Sequence, residues 1–166
     1  MKEFPINTHR FDPYKNFKFT VWSGQDMVAA VSKVSALKRT TEVISHRHGG
    51  DNTTPVLSPG NSKFEPVTLE RGVTFAREFE AWAKNVFDVE GPGGMSLLNY
   101  KRDLTIKLQN LAGDDVLVYN VKRCWVSEYV ALPELDANGN GAAFEHVILQ
   151  NEGFVRDVSV KEKKEI

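Results

Sequence analysis

Three places in the sequence hold residue types that can do chemistry. The first is Asp136-Ala137-Asn138-Gly139-Asn140-Gly141. It matches the opening half of an EF-hand calcium loop, where alternate oxygens face one ion and a glycine makes the sharp turn. The full loop closes with a bidentate glutamate at its twelfth position. Val147 stands there, and Glu145 is two residues early. The residues that follow alternate like a strand rather than a helix. Without the closing carboxylate the oxygen count is short, so the segment reads as a structural loop.

The second place is His46, His48 and Asp51. Residues two apart on a strand share a face, so two imidazoles could approach one ion. The other histidines, His9 and His146, are tied to them by no spacing, and the pair reads as surface loop histidines. The third is Cys124, the one cysteine in the chain. It permits no intramolecular disulfide and no cysteine-based zinc site. It lies in an apolar run and reads as a small buried hydrophobe in a reducing compartment.

Further chemical signatures are missing. There is no GxGxxG, no GxxxxGK[ST] and no G-x-S-x-G elbow. Asn52-Thr53-Thr54 has the form of a glycosylation sequon, without meaning for a cytoplasmic product. The carboxylate pairs come with no aromatic pocket that would raise one pKa. Trp22, Trp82 and Trp125 sit in apolar periodicity and read as core rather than base-stacking platforms. The expectation is a protein with no catalytic residue, no metal and no cofactor.

Composition agrees with an ordinary soluble domain. Of 166 residues, 41% are hydrophobic and 26% charged, and 21 basic residues nearly balance 22 acidic ones. Such a balance gives no overall field toward nucleic acid or an anionic membrane. The start, Met1 to Ile6, has no apolar signal core, and no run is long enough to span a bilayer. The chain is therefore expected to be made in the cytoplasm without a signal peptide and not to insert in a membrane.

Periodicity supplies the elements. Residues 1–15, with Pro5 and Pro13, read as an irregular arm anchored by Phe4, Phe11 and Tyr14. Phe17 to Val21 alternates as a strand, Ser23-Gly24-Gln25-Asp26 is a turn, and Met27 to Val34 is the return strand. Thr40 to Arg47 is a strand with two mixed faces, weakly specified by its own core and suited to pairing with another subunit. Residues 48–55 and Ser58-Pro59-Gly60-Asn61 are turn-rich clusters on an extended excursion. In Pro66 to Arg71, Val67, Leu69 and Arg71 alternate with Thr68 and Glu70. One helix is expected at 75–86, with Thr74 as N-cap and Phe75, Phe79, Trp82, Ala83 and Val86 as its apolar stripe. Strands follow at 104–108, 116–129, 144–149 and 154–158, with a loop at 133–141. Residues 159–166 form a charged tail. The fold expected is mainly β with one helix: an antiparallel barrel or sandwich over residues 16–158, flanked by the helix.

An ordered series of segments carries a resemblance. It runs from Phe17-Lys18-Phe19-Thr20-Val21 through Glu42-Val43-Ile44-Ser45-His46-Arg47-His48-Gly49-Gly50-Asp51-Asn52. It continues with Leu57-Ser58-Pro59-Gly60, Leu69-Glu70-Arg71-Gly72-Val73-Thr74 and Phe79-Glu80-Ala81-Trp82. It ends with Cys124-Trp125-Val126-Ser127-Glu128-Tyr129 and His146 to Phe154. Over residues 16–157 this succession is similar to the contractile-tail inner tube family of myovirus tails and extracellular contractile injection systems. The tube protein of type VI secretion is a more distant relative. The resemblance implies a structural subunit whose hexameric rings stack into a hollow conduit for cargo or genome. Its implied partners are itself, a sheath protein, and baseplate or tube-initiator proteins. It also implies that the segment His46 to Lys63 reaches a neighbouring subunit. The candidate contact residues are Glu42, His46, Arg47, His48, Asp51, Asn52, Leu57, Lys63 and Arg71. For Arg71 the expectation is an ion pair that contacts a neighbour or orders a loop, with a purely internal role standing beside it. The alternative function is a low-copy tube initiator or baseplate adaptor of the same fold.

Overall fold

The computed structural model describes residues 18–28, 31–47, 49–50, 54–91, 95 and 98–161. Among the described residues, ten strands and one helix follow in order. They are β1 (Phe19–Ser23), β2 (Asp26–Met27), β3 (Val31–Val34), β4 (Arg39–His46), β5 (Val56–Phe64) and β6 (Val67–Gly72). Then come α1 (Glu78–Val86), β7 (Arg102–Gln109), β8 (Asp115–Val130), β9 (Phe144–Gln150) and β10 (Phe154–Arg156). Every pairing is antiparallel. Eight strands make one sheet in the order β2-β1-β7-β8-β9-β6-β3, with β10 added beside β8. The ends of that path, β2 and β3, do not pair, so the sheet is a folded sandwich and not a closed barrel.

The fold turns on β8. Its first half pairs with β7, and its second half, Trp125 to Val130, pairs with β9. Between them Arg123 takes a left-handed backbone, φ 51, which costs a non-glycine residue about 1–2 kcal/mol. The Arg123 N–H donates to Asp103 Oδ1 at 2.9 Å, and its guanidinium lies 3.2 Å from Glu152. Lys122 and Arg123 are both exposed, while Val121 and Cys124 on either side are buried. The kink therefore shifts the inward phase of the strand and passes it from one layer to the other, as bulges do at sandwich corners.

The core lies between the layers. Val21, Leu104 and Val121 come from one side, and Val67, Leu69, Val126, Val147 and Leu149 from the other, all buried. Each such side chain contributes about 1.5–3 kcal/mol by leaving water. Phe79 and Trp82 of α1 close the cluster, and Trp82 Nε1 donates to the Tyr100 carbonyl at 3.0 Å.

Several expectations change. The return strand at 27–34 is two strands on different neighbours: β2 pairs with β1, and β3 with β6. The cluster Ser58-Pro59-Gly60-Asn61 is not a turn but the middle of β5. Proline fits there because β5 has one partner and its ladder is interrupted beside Gly60. The helix starts at Glu78, not at residue 75, and Phe75 is fully exposed. Thr74 Oγ1 accepts from the Ala76 N–H in a local turn and does not cap the helix. The arm at 1–15 lies outside the described residues.

Candidate assembly surface

Strands β4 and β5 form a two-stranded sheet of their own. All eight residues of β4 are exposed. Facing pairs run from Arg39 with Phe64 at the root to His46 with Val56 at the far end. The register shifts between Thr41 and Val43, where Gly60 passes close to Glu42 and Ile44. A Cβ on Gly60 would lie 3.1 Å from both side chains. Thr41 and Ser62 share a 2.6 Å hydroxyl contact across the ribbon.

Among the described residues, the hairpin is fastened to the body at its root. Glu65 N–H donates to the Lys38 carbonyl, and Asn151 Nδ2 donates to the Glu65 carbonyl. Phe64 meets Phe154 edge-on at 5.5 Å and lies over Gly153. Beyond the root, apolar side chains point into solvent: Val43 is 69% and Leu57 64% exposed, with Ile44 and Val56 also open. Facing residues of an antiparallel pair point the same way. Val43 and Leu57 thus share one face, and Ile44 and Val56 the other. A lone two-stranded ribbon is marginal in water, and a ribbon greasy on both faces more so.

Of the candidate contact residues, Glu42 and His46 lie on β4, Arg47 follows it, and Leu57 and Lys63 lie on β5. Lys63 sits near the root, 3.7 Å from Glu65. His48, Asp51 and Asn52 lie outside the described residues. Sequence reading passed over Val43, Ile44 and Val56. The signal was the adjacent apolar pairs, Val43-Ile44 and Val56-Leu57, which no single-sided strand can bury together.

Arg71 stands apart from the hairpin. It is wholly buried on β6. Its Nε donates to Glu145 Oε1 at 2.5 Å, one terminal nitrogen to Glu78 Oε2 at 2.9 Å, and the other to the Ala76 carbonyl at 2.9 Å. The guanidinium also lies 4.1 Å from the Phe79 ring centre. Burial works against its charge, but the carboxylates of Glu78 and Glu145 prevail and raise its pKa. The hydrogen bond from Arg71 lowers the pKa of Glu78 in turn. Tyr129 donates to Glu145 at 3.4 Å, and burial followed by that carboxylate raises the phenol's pKa. Arg71 therefore links β6 to Glu145 on β9 and to Glu78 and Ala76 at the helix start, with its side chain closed off from solvent within its own domain.

The other chemical places resolve simply. Burial pushes the Cys124 thiol up to about 12. Asp136 accepts from the N–H groups of Asn138 and Gly139, closing a local turn. Val147, at the position of the missing calcium ligand, is buried in β9. Among the described residues no three His, Cys, Asp or Glu side chains are grouped to hold a metal ion. None of the described helices is long and apolar enough to cross a membrane.

A family model described as T4-like virus tail tube protein gp19 matches residues 15–155. The chain belongs to this tail tube family. Its role is structural and tube-related. Among solved structures, it is similar to a chain of the PVC extracellular contractile injection system sheath-tube complex in its extended state. That match has a TM-score of 0.72 and 25% identity, and covers 87% of this chain and 91% of the other. A chain of the anti-feeding prophage tube-terminating cap gives TM-score 0.73 at 23% identity, over 88% and 91% of the two chains. Hcp1 from Flavobacterium johnsoniae shares the fold more distantly, with TM-score 0.55 at 12% identity over 83% and 93%. Comparison with curated protein sequences gives no match. The ordered segments named above fall inside the span of the tail tube match.

Proposed function

We propose that this tail tube family member is the repeating subunit of an inner tube. Its copies close into hexameric rings, and the rings stack into a conduit for cargo or genome within a sheath, on a baseplate. The subunit acts by assembling and not by catalysis. The observation that carries this is the β4–β5 hairpin, exposed and apolar on both faces and, among the described residues, fastened at its root. Such an arm has a physical reason to exist if another copy covers it. Glu42, His46, Arg47, Leu57 and Lys63 are its proposed contact residues, and His48, Asp51 and Asn52 belong to the same segment by sequence.

Mass photometry and negative-stain microscopy of the purified protein test the reading. The wild-type chain should form rings or tubes as concentration rises. Leu57→Asp should stay monomeric while unfolding near the wild-type urea concentration, because Leu57 is largely exposed within its own chain. A wild-type chain that stays monomeric at high concentration would refute the reading.

The second reading, a low-copy subunit at a tube end, is supported by the likeness to a chain of the cap structure. Copy number in isolated particles separates the two, since a repeating subunit should rival the sheath protein in abundance.

A further inference from the structure

The hairpin needs an acceptor, and one surface of the domain has the complementary chemistry. A cleft of about 440 Å³ opens between the end of α1, the following residues 87–90 and the second half of β8. Its apolar lining comes from Ala83, Val86, Val126 and Tyr129, and Phe87 and Val89 stand exposed beside it. The charge around it is one-sided. Glu80, Asp88, Glu90 and Glu128 line it against a single base, Lys84. Lys84 is itself turned to Glu80 at 3.7 Å, which leaves Asp88 and Glu90 without a basic side chain from the lining, while Glu128 lies 3.9 Å from His146 behind it.

The far half of the hairpin mirrors this arrangement. Val43, Ile44, Val56 and Leu57 supply exposed apolar surface, and the exposed Arg47 supplies a guanidinium at the far end. Apolar surface meets apolar surface, and the Arg47 guanidinium meets an acidic rim. The hairpin cannot be answering its own cleft, because all of β4 stands in solvent. Each chain thus carries one arm and one cleft on different surfaces. A contact between two unlike surfaces is head-to-tail, the type that closes rings or extends filaments.

We infer that the α1–β8 cleft is the acceptor for the β4–β5 hairpin of a second copy of this chain, with Arg47 of the arm directed to Glu90 and Glu128 of the cleft. The inference rests on the tube-subunit reading and adds the partner surface to it. Leu57 and Val43, which share one face of the ribbon, remove apolar area from water in the cleft, while the charges set orientation and exclude wrong partners.

Charge reversal and cross-linking test it on the full-length chain. Glu90→Lys with Glu128→Lys should raise the concentration needed for half-assembly by at least about tenfold, because it sets like charges against the arm. Adding Arg47→Glu to that double variant should recover most of the loss. In a mixture of Leu57→Cys and Val89→Cys chains, mild oxidation should give a disulfide between the two variants. Cys124 is buried and should not compete.

The outcomes separate the acceptor from the wider reading. If Leu57→Asp blocks assembly while the Glu90 and Glu128 reversals assemble like wild type, the cleft is not the acceptor and the tube reading stands. If both assemble like wild type, the arm is not the contact and the inference fails, while the tube reading falls only if the wild-type chain stays monomeric. Protection of Val89→Cys from a thiol reagent in the isolated monomer would assign the cleft to a segment of the same chain and overturn the inference.

Discussion

Arg71 on β6 lies directly opposite Glu145 on β9, and the two side chains meet at 2.5 Å inside the sheet. Each ends an inward face that is otherwise apolar: Val67 and Leu69 precede Arg71, and Val147 and Leu149 follow Glu145. Breaking a buried pair by removing one partner costs about 3–5 kcal/mol, because the other charge is left without compensation. Arg71→Ala should therefore lower the urea midpoint sharply. Arg71→Leu combined with Glu145→Leu should recover much of the loss. A double variant as unstable as Arg71→Ala would mean that the bonds to Glu78 and Ala76 matter more than the pair.

Acid should loosen the helix start. Hydrogen bonding to Arg71 holds the Glu78 carboxyl below its ordinary 4.5. An acid whose pKa falls on folding adds stability above its unfolded pKa, and that stability is lost as pH drops through the folded value. The urea midpoint should thus decline below about pH 4.5, and less steeply in Glu78→Gln. The slope should not vanish. Lys101 lowers the pKa of Glu152, and Ser159 that of Asp157, so both act in the same direction.

Gly153 is the seat of the hairpin root. Its φ is +133, and a Cβ there would lie 3.2 Å from the Phe64 ring. Gly153→Ala should cost about 1–3 kcal/mol from backbone strain, with a further loss from the ring contact. Hydrogen exchange at β4 and β5 amides should speed up as the root loosens. Phe64→Leu in the Gly153→Ala background should relieve the crowding and not the strain. Unchanged exchange in Gly153→Ala would mean that the root does not depend on this contact.

The loop before β9 should age at one position first. In Asn-Gly pairs the glycine nitrogen attacks the asparagine side-chain carbon and expels ammonia, and water then opens the cyclic imide to an acid. The Gly139 N–H is held by the Asp136 carbonyl at 3.0 Å, whereas the Gly141 N–H has no hydrogen bond to a described residue. Asn140 should deamidate faster than Asn138. Peptide mapping after days at mildly basic pH reads both rates, and equal rates would show that the Asp136 contact does not protect.

The strands that build the sandwich were legible because each buries one face. Val67, Leu69 and Arg71 alternate with Thr68 and Glu70, and the structure keeps that phase, guanidinium included. Glu145 was legible in principle, since it is in phase with Val147 and Leu149, but the nearby half-motif for calcium drew it into another role. The hairpin was harder. Its faces are both mixed, so periodicity gave no inward direction, and Pro59-Gly60 imitated a turn where the chain has an irregular strand. Phe75 misled in the opposite sense: it fits the helical stripe by spacing, yet Arg71 pins the Ala76 carbonyl and the helix begins only at Glu78. Spacing reports which residues could share a face, and the buried ion pair decides where that face begins.

The root and the ladder of the β4–β5 hairpin also set its mechanics. Tension applied along the arm is shared by two covalent backbones, and the cross-strand hydrogen bonds lie at right angles to it. Sideways load meets only a thin ribbon, already interrupted where Gly60 passes Glu42. The arm is therefore stiff when pulled and compliant when bent, a tether rather than a strut. A body joined to its neighbour by such an arm tilts before it separates.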